Sequence, residues 1–325
     1  MKKIRVSAPA RIHMGIFNPS RGVRGRLYGS VGVGTEEPRT VVEVEQAKDI
    51  YASTPFADEI KFVAMKIVRH YNLEGARVNV LSAPKRHSGL GSTTQLSLSI
   101  ATGITRAYGL DVKPVDLAMI LGRGKQSAAG TYVFQMGGFV VDGGWGAKTS
   151  FPPLLIRYTF PEDWRLLIVV PESRGLDEKD ELEAFEKLPA PDEQLIREAS
   201  YRLLLGMAPA IMEKDIQAFG ESLTKLQETV GAMFSQAQGG VFQPHSTPMI
   251  EKLKAMGAAG VGQSSWGPAV YAIFDAETGK SVEALLRREV LSGGSTKQLG
   301  SSLYGASKWG EVYFTRADNR GAVVT

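Results

Sequence analysis

The chain has 325 residues, 43% of them hydrophobic and 22% charged, with a formal net charge of +4 and no cysteine. This composition is typical of a globular protein and excludes a disordered chain, a disulfide scaffold and any site built on thiolates. No apolar run reaches the length of a signal peptide or a membrane span, and the basic residues form no continuous stripe. We therefore expect neither a membrane nor a nucleic-acid partner.

Gly-rich turns separate the elements predicted in the first half of the chain. Alternating apolar residues predict strands, and apolar residues three and four positions apart predict helices. In chain order the predictions are strands at 4–14 and 39–44, a helix at 57–71, a strand at 77–81, a loop at 84–91, helices at 92–108 and 114–121, and a strand at 131–141.

The second half of the chain is predicted to be richer in helix. The predictions there are a strand at 165–170, helices at 177–187, 192–207, 213–230 and 248–256, an extended segment at 258–262, a strand at 268–274 and a helix at 277–290. Because strands and helices do not alternate regularly, the pattern favours an α+β fold over a doubly wound sheet. The length and a change from basic to acidic composition near residue 160 predict two domains, 1–162 and 163–325.

Residues 84–95 combine glycines, hydroxyls and cations immediately before a predicted helix. Glycines let a backbone approach an anion closely, and the first turn of a helix offers unpaired N–H groups at the positive end of its dipole. The pattern predicts a phosphate-binding loop that is not a Walker A loop, although the same residues would also serve as a simple helix cap. The predicted ligand contacts are Lys85, Arg86, His87, Gly89, Gly91, Ser92, Thr93 and Thr94.

Residues 89–94 (Gly-Leu-Gly-Ser-Thr-Thr) resemble the second motif of the GHMP kinase superfamily, and residues 257–268 lie where its third Gly-rich motif is found. The resemblance implies an α+β, GHMP kinase-like two-domain fold, with a ribosomal S5 domain 2-like N-terminal domain and a ferredoxin-like C-terminal domain. Mevalonate kinase-like members use the Asp of a Ser-Gly-x-Asp segment as the catalytic base. The matching stretch 127–130 has Gly130 at that position, so transfer of phosphate to a hydroxyl would lack its base.

Six motifs in order resemble one branch of this superfamily, the β-ribofuranosylaminobenzene 5′-phosphate synthases of methanopterin biosynthesis. They lie at residues 11–15, 28–32, 86–92, 122–127, 137–144 and 262–268. The resemblance implies that phosphoribosyl pyrophosphate joins 4-aminobenzoate or 4-hydroxybenzoate at the ring carbon bearing the carboxylate, with loss of CO₂ and pyrophosphate. It also implies a cytoplasmic homodimer of archaeal or methylotroph origin. An ATP-dependent small-molecule kinase and a non-catalytic sugar-phosphate-binding regulator stay open as alternatives, because a fold does not fix a function.

The implied reaction needs cations and N–H donors around phosphates, usually with Mg²⁺, and a clamp for the carboxylate of the acceptor. Arg26 is the first candidate for that clamp and Arg11 the second, because a guanidinium binds a carboxylate through two parallel hydrogen bonds. Asp142 and Ser92 are the predicted Mg²⁺ ligands, and His13 is a candidate general acid or phosphate contact. Each also has an ordinary interpretation, as a surface arginine, an Asp-Gly turn, a helix cap or a buried histidine.

The other predicted substrate contacts lie in the matched motifs. Tyr28 and Trp266 are candidates to stack on the acceptor ring, although ordinary core packing explains them equally well. The polar candidates are Arg123, Lys125, Ser127, Gln263, Ser264 and Ser265. The four histidines show no pair at metal-ligand spacing, so we expect no zinc site.

Overall fold

The computed structural model describes residues 3–20, 25–53, 55–172, 183, 188–291, 296–299, 302–307 and 309–325. The helix predicted at 177–187 lies outside the described residues, apart from Glu183. The strands are β1 (Ile4–Asn18), β2 (Tyr28–Ala47), β3 (Ile50–Ala52), β4 (Gly75–Ser82), β5 (Phe139–Asp142), β6 (Leu154–Tyr158), β7 (Arg165–Val170), β8 (Gly260–Gln263), β9 (Val270–Phe274), β10 (Thr296–Leu299), β11 (Ser302–Ser307), β12 (Gly310–Thr315) and β13 (Val323–Val324). The helices are α1 (Ala57–Tyr71), α2 (Ser92–Ala107), α3 (Pro114–Leu121), α4 (Ala129–Met136), α5 (Glu193–Tyr201), α6 (Ala208–Glu213), α7 (Ile216–Gln238), α8 (Thr247–Ala255) and α9 (Ala276–Leu291), with a π-helical segment (Arg202–Met207) between α5 and α6.

Two sheets organise the described part of the chain. The first has the order β13-β1-β2-β4-β3, with β5 paired to β2 and β6 paired to β5. The second has the order β10-β11-β12-β7-β9-β8. Every described strand pair is antiparallel except that of β3 with β4. The predicted α+β class is therefore confirmed.

Four hydrophobic clusters hold the described helices against these sheets, the smallest of them around α4. Helices α1, α2 and α3 pack on one face of the first sheet, and α8 and α9 pack on one face of the second. Between the sheets lies a central core that α5 and α7 share with β1, β5, β7 and β9. Aromatic rings pack edge to face within it, with Phe160 5.2 Å from Trp164 and 5.5 Å from Phe219 between ring centroids. This core brings β1, the loop before α2 and the loop after β8 together.

The strand predicted at 131–141 is wrong over its first half. Those residues form α4, and a strand begins only at Phe139. The buried residues Ala129, Tyr132 and Val133 recur at helical spacing against α3 and the first sheet, and this packing overrides the β-propensity of the aromatic and β-branched residues. Gly137, with φ of 58°, then ends the helix.

Two other segments differ in their bounds. The helix predicted at 213–230 is α7, which begins later, at Ile216, and continues to Gln238. Lys214 adopts a left-handed conformation that ends α6, and Asp215 caps α7 by accepting the N–H groups of Gln217 and Ala218. The Gly-rich stretch before the strand predicted at 39–44 is itself strand, so β2 begins at Tyr28. The remaining predicted helices and strands of the described chain are confirmed within a few residues.

The two sheets divide the sequence close to the predicted domain boundary. Strands up to Tyr158 belong to the first sheet and strands from Arg165 to Thr315 to the second. The last strand, β13, returns to the first sheet and pairs with Val6 and Ser7 of β1. The division at 162–163 stays a prediction.

Candidate active site

The first turn of α2 faces a cavity of about 120 Å³, which we call the anion cavity. Gly91 precedes the helix in a left-handed conformation, and no side chain caps the N-terminus. The first N–H groups of a helix have no acceptor within the helix, so they bind an anion well. The described lining residues are Arg11, His87, Gly89, Gly91, Ser92, Thr93, Thr94, Arg123, Ser265, Trp266 and Gly267. Ten of these eleven residues were predicted from the sequence, Gly267 being the exception.

Ser264 joins the loops that form this cavity. Its hydroxyl accepts the backbone N–H of His13 at 2.9 Å and donates to the carbonyl oxygen of Gly89 at 2.7 Å. The two Gly-rich loops are in backbone contact, since a Cβ on Gly267 would collide with the Cα of Gly89. Ser264 was predicted as a substrate contact, and the structure instead shows its hydroxyl binding two backbone segments.

Two arginines supply positive charge to the anion cavity. The side chain of Arg11 crosses the strand at Gly32, where a Cβ would lie 3.3 Å from Cδ of the arginine. Its guanidinium also donates to the carbonyl oxygen of Gly89 at 3.3 Å. Arg123 reaches the same cavity from the loop after α3. None of the described lining residues is an Asp or a Glu, so the cavity favours a multiply charged anion.

Gly130 lies in the first turn of α4, directly beside the phosphate-binding loop. A Cβ at this position would lie 3.3 Å from Cγ2 of Thr94, and its carbonyl oxygen accepts the side-chain N–H of Gln95 at 2.8 Å. The position that the resemblance assigns to the base of the kinases therefore adjoins the anion cavity and carries no acid.

Asp142 lies at the end of β5 in a buried polar cluster of its own. Its carboxylate accepts the hydroxyl of Ser30 and the N–H groups of Ala128 at 3.1 Å and Gly144 at 2.9 Å. Burial raises the pKa of this carboxyl above its ordinary value. The residue does not line the anion cavity, whereas Ser92 does, so the structure does not bring the two predicted metal ligands into one cavity. No group of three or more His, Asp or Glu side chains suited to a metal occurs within the described ranges.

Four more predicted residues lie outside the anion cavity. Arg26 donates to the carbonyl oxygens of Gly143 and Gly144 and to the hydroxyl of Thr149, and so fixes the turn after β5. Its role as the carboxylate clamp stays a prediction. The other three are Tyr28, which packs against the central core, Lys125, which is exposed, and Ser127, whose hydroxyl pairs with that of Ser30 at 2.6 Å.

A second cavity, of about 1070 Å³, continues from the anion cavity past His87, Thr93 and Arg123. We call it the large cavity. Lys85 and Arg86 line it from the loop before α2, and its opposite wall is α1. Arg86 forms an ion pair with Glu59 of that helix. Both predicted cations of the loop therefore face this cavity rather than the first turn of α2.

A third, mostly apolar cavity, of about 40 Å³ and partly open to solvent, adjoins the anion cavity and shares Ser265 and Trp266 with it. We call it the aromatic pocket; it is lined by His13, Gly15, Ile16, Gln227, Val230, Gly231, Phe234, Gln238, Val241, Phe242, Gln263, Ser265 and Trp266. The rings of Phe234 and Trp266 pack edge to face with centroids 5.0 Å apart. Burial, with a smaller contribution from Arg11, holds the pKa of His13 well below its ordinary value. Sequence reasoning missed the contribution of α7, because nothing local links it to β1.

Comparison with known proteins places the fold in one class. The chain matches the GHMP kinases N-terminal domain over residues 58–138 and the GHMP kinases C-terminal model over residues 207–291. A homoserine kinase from Cytophaga hutchinsonii superposes with a TM-score of 0.70 at 16% identity, covering 100% of this chain and 98% of that one. A mevalonate 5-diphosphate decarboxylase superposes with a TM-score of 0.68 at 13% identity, covering 100% and 97%. The expected GHMP kinase-like fold is confirmed.

Sequence relatives narrow this class. A β-ribofuranosylphenol 5′-phosphate synthase of Methanothermobacter thermautotrophicus is 33% identical, covering 90% of this chain and 96% of the relative. The synthase of the same name from Archaeoglobus fulgidus is also 33% identical, covering 87% and 91%. A homoserine kinase of Methanopyrus kandleri is 23% identical. The chain belongs to the β-ribofuranosylphenol 5′-phosphate synthase family, as the six motifs indicate. No described helix has the length and apolarity needed to cross a membrane.

Proposed function

We propose that the protein condenses phosphoribosyl pyrophosphate with a para-substituted benzoate, releasing CO₂ and pyrophosphate and forming a C-riboside 5′-phosphate. The observation that carries this proposal is the anion cavity, which combines two arginines and a helix N-terminus with no described carboxylate. Such a site suits a leaving polyphosphate and offers no carboxylate as a base for a hydroxyl. Membership of the synthase family supports the same reaction.

The bond changes explain why Gly130 is compatible with this reaction. The ring carbon that bears the carboxylate forms a bond to the anomeric carbon, and the bond from that carbon to pyrophosphate breaks. The bond to the carboxylate then breaks, CO₂ leaves, and the electron pair restores the aromatic ring. The protein removes no proton from the attacking carbon, so the position that holds the base in kinases needs no acid.

The pyrophosphate is expected to lie over the first turn of α2. The N–H groups there and the guanidinium of Arg11 would stabilise the charge that develops as it leaves. Arg123 and Lys85 would extend the positive environment toward the large cavity. In this orientation the anomeric carbon would point toward Ser265 and Trp266, which line both the anion cavity and the aromatic pocket.

We propose that Mg²⁺ binds together with phosphoribosyl pyrophosphate, mainly through its phosphates, rather than at a site formed by protein ligands alone. Magnesium often binds through substrate phosphates with few protein ligands, and it would supply further neutralisation of the leaving group. Of the two predicted ligands, Ser92 fits, because its residue lines the anion cavity. Asp142 fits less well, since its carboxylate already accepts three hydrogen bonds elsewhere.

The sequence leaves the acceptor open between 4-aminobenzoate and 4-hydroxybenzoate. We propose 4-hydroxybenzoate, because the named product of the relatives is a ribofuranosylphenol phosphate, which carries a hydroxyl rather than an amino group. The homodimer and the cytoplasmic location that the resemblance implies are part of the same proposal.

The kinase alternative requires an acid close to Gly130, and the sequence offers Asp142 for that role. Asp142 does lie close to Gly130, since its carboxylate accepts the N–H of Ala128, but it is buried, also accepts the hydroxyl of Ser30 and does not line the anion cavity. The regulator alternative requires binding without turnover, and an activity measurement decides it.

The test follows labelled CO₂ from carboxyl-labelled 4-hydroxybenzoate, with a parallel sample of 4-aminobenzoate. We expect release that requires the protein, phosphoribosyl pyrophosphate and Mg²⁺, and faster release from 4-hydroxybenzoate. Folded protein that binds the donor but releases no CO₂ from either acceptor would contradict the proposal and favour the regulator.

A further inference from the structure

The glutamine side chains around the aromatic pocket are already held by other groups. Gln227 accepts the N–H of Gln263 at 2.8 Å and donates to the carbonyl oxygen of Met14. Gln263 accepts the N–H of Gln243 at 2.9 Å and donates to a carbonyl oxygen two residues further on. Gln238 donates to carbonyl oxygens of the turn that follows α7. These amides therefore shape the wall of the pocket.

His13 differs from these glutamines. Its side chain lines the aromatic pocket, the residue is only 4% exposed, and no hydrogen bond to the imidazole is made by the residues that the structure describes. A neutral imidazole offers one N–H donor and one nitrogen acceptor, and leaving such groups unpaired when buried is costly. The lowered pKa keeps the ring neutral at pH 7. A polar group within mostly apolar walls is the usual composition of a small-molecule site.

The position of His13 along β1 relates it to the anion cavity. Arg11 and His13 are two residues apart in a regularly paired part of the strand, so their side chains leave the same face about 7 Å apart. Arg11 lines the anion cavity and His13 the aromatic pocket. A para-substituted benzoate, with a carboxylate at one end and a hydroxyl at the other, has a comparable length.

We propose that the aromatic pocket is the acceptor subsite, with the ring beside Trp266 and Phe234, the carboxylate toward the anion cavity, and the para hydroxyl on the His13 imidazole. This assignment rests on the proposed function and adds the residue that selects the para substituent. A hydroxyl donates to the acceptor nitrogen of a neutral imidazole, whereas an unsubstituted ring would leave that nitrogen unpaired.

The same hydrogen bond assists the reaction. Donation of the phenolic O–H to His13 raises the electron density at the para carbon, which is the carbon that bears the carboxylate. As that carbon bonds to the anomeric carbon and the bond to pyrophosphate breaks, the phenolic proton shifts toward the imidazole. When CO₂ leaves, its bonding electron pair restores the ring and the proton returns to the phenol oxygen, so no proton is gained or lost.

The test compares the binding of 4-hydroxybenzoate and benzoate by calorimetry, with pyrophosphate and Mg²⁺ present to occupy the anion cavity. We expect the unsubstituted protein to bind 4-hydroxybenzoate about tenfold more tightly than benzoate. His13→Phe should bind both ligands equally, and His13→Gln should restore part of the preference. His70→Phe, an identical change on the exposed face of α1, is the matched control and should keep the tenfold ratio.

Val230→Phe keeps the proposal testable if His13→Phe does not fold. This change fills the aromatic pocket from α7 and should weaken 4-hydroxybenzoate binding at least tenfold while leaving pyrophosphate binding unchanged. Unchanged 4-hydroxybenzoate affinity in Val230→Phe, or a tenfold preference that survives in His13→Phe, would overturn the assignment.

The two proposals fail separately. A His13-dependent preference without release of CO₂ in the presence of donor would leave the acceptor subsite standing and remove the synthase reaction. Release of CO₂, together with a preference for 4-hydroxybenzoate over benzoate that does not depend on His13, would support the synthase reaction and overturn the acceptor subsite.

Discussion

The anion cavity and the cluster around Asp142 both adjoin Gly-rich turns and both carry charged groups, yet they use their polar atoms in opposite ways. In the cluster, the Asp142 carboxylate accepts three hydrogen bonds from Ser30, Ala128 and Gly144. In the anion cavity, the N-terminus of α2 has no side-chain cap and two arginines face the same space. Polar atoms paired within the protein stabilise the fold, whereas those aimed into a cavity can bind a ligand.

This difference separates residues that look equivalent in the sequence. Ser92 and Ser264 both lie in Gly-rich loops, but only Ser92 lines the anion cavity, while the Ser264 hydroxyl binds two backbone segments. A ligand role therefore depends on where the partners of each polar atom lie. Variants in the two regions should accordingly separate catalysis from stability.

Arg11→Ala is expected to have the largest effect on activity. Removing a cation from the site where pyrophosphate charge develops should lower kcat/KM by about 10²- to 10³-fold. Lys125→Ala removes the same charge from an exposed residue outside the cavity and should change kcat/KM less than about twofold. Steady-state rates of CO₂ release at saturating acceptor measure both. Equal losses in the two variants would show that overall charge, rather than the cavity, controls the rate.

Asp142→Asn is expected to act on stability. In the variant, an amide NH₂ replaces one of the two carboxylate oxygens and faces a buried N–H or O–H donor that has lost its acceptor. The free energy of unfolding should therefore fall by about 1–3 kcal/mol. Because burial raises the pKa of the native carboxyl, the unsubstituted protein gives up part of its stability as the pH rises through that pKa. The stability difference should therefore be larger at pH 4 than at pH 7 in denaturant titrations.

The Mg²⁺ dependence of the same variant tests its predicted role as a ligand. We expect the Mg²⁺ concentration for half-maximal activity to stay the same in Asp142→Asn. A tenfold rise in that Mg²⁺ concentration would show that Asp142 is a metal ligand.

Ser92→Ala combined with Thr93→Ala should have an intermediate effect on the donor. Loss of two hydroxyls beside the first turn of α2 should raise the KM for phosphoribosyl pyrophosphate about tenfold, while the KM for the acceptor stays constant. Ser200→Ala, at an exposed serine of α5, is the control. An unchanged KM for phosphoribosyl pyrophosphate in the double variant would show that these hydroxyls do not bind the donor and that the segment only begins the helix.

His13→Phe should change the pH dependence of stability. The native imidazole has a lowered pKa because of burial and Arg11, so the stability it contributes is present above the ordinary histidine pKa and is lost as the pH falls. The unsubstituted protein should lose up to about 1.4 kcal/mol per pH unit below pH 6.5 relative to the variant. Parallel stability curves would show that His13 is not held neutral by the fold.

The sequence predicts the anion cavity well because most of that site is local. The loop, the start of α2 and their hydroxyls are contiguous in residues 84–95, and helix geometry alone brings their N–H groups together. The same local pattern predicts α1, α2 and α3 closely. Arg11 lies in β1, far from this segment along the chain, and is predicted only through the resemblance of residues 11–15 to a family motif.

Features that depend on distant partners are not predictable in this way. Ser30, which binds Asp142, is 112 residues away along the chain, and Gln227, which binds the Met14 carbonyl, is 213 residues from it. The sequence therefore shows neither that Asp142 is already paired nor that α7 completes a pocket beside β1. The strand predicted over the residues of α4 is wrong for a related reason. The packing of these residues against α3 and the first sheet overrides their local strand propensity.

The measurement that tests the central claim most directly is the stoichiometry of products from one reaction mixture. Phosphoribosyl pyrophosphate and labelled 4-hydroxybenzoate should give CO₂ and pyrophosphate in a one-to-one ratio, and ATP offered in place of the donor should give no ADP. Formation of ADP with phosphorylated acceptor, and no CO₂, would contradict the view that the anion cavity serves a leaving pyrophosphate without a catalytic base.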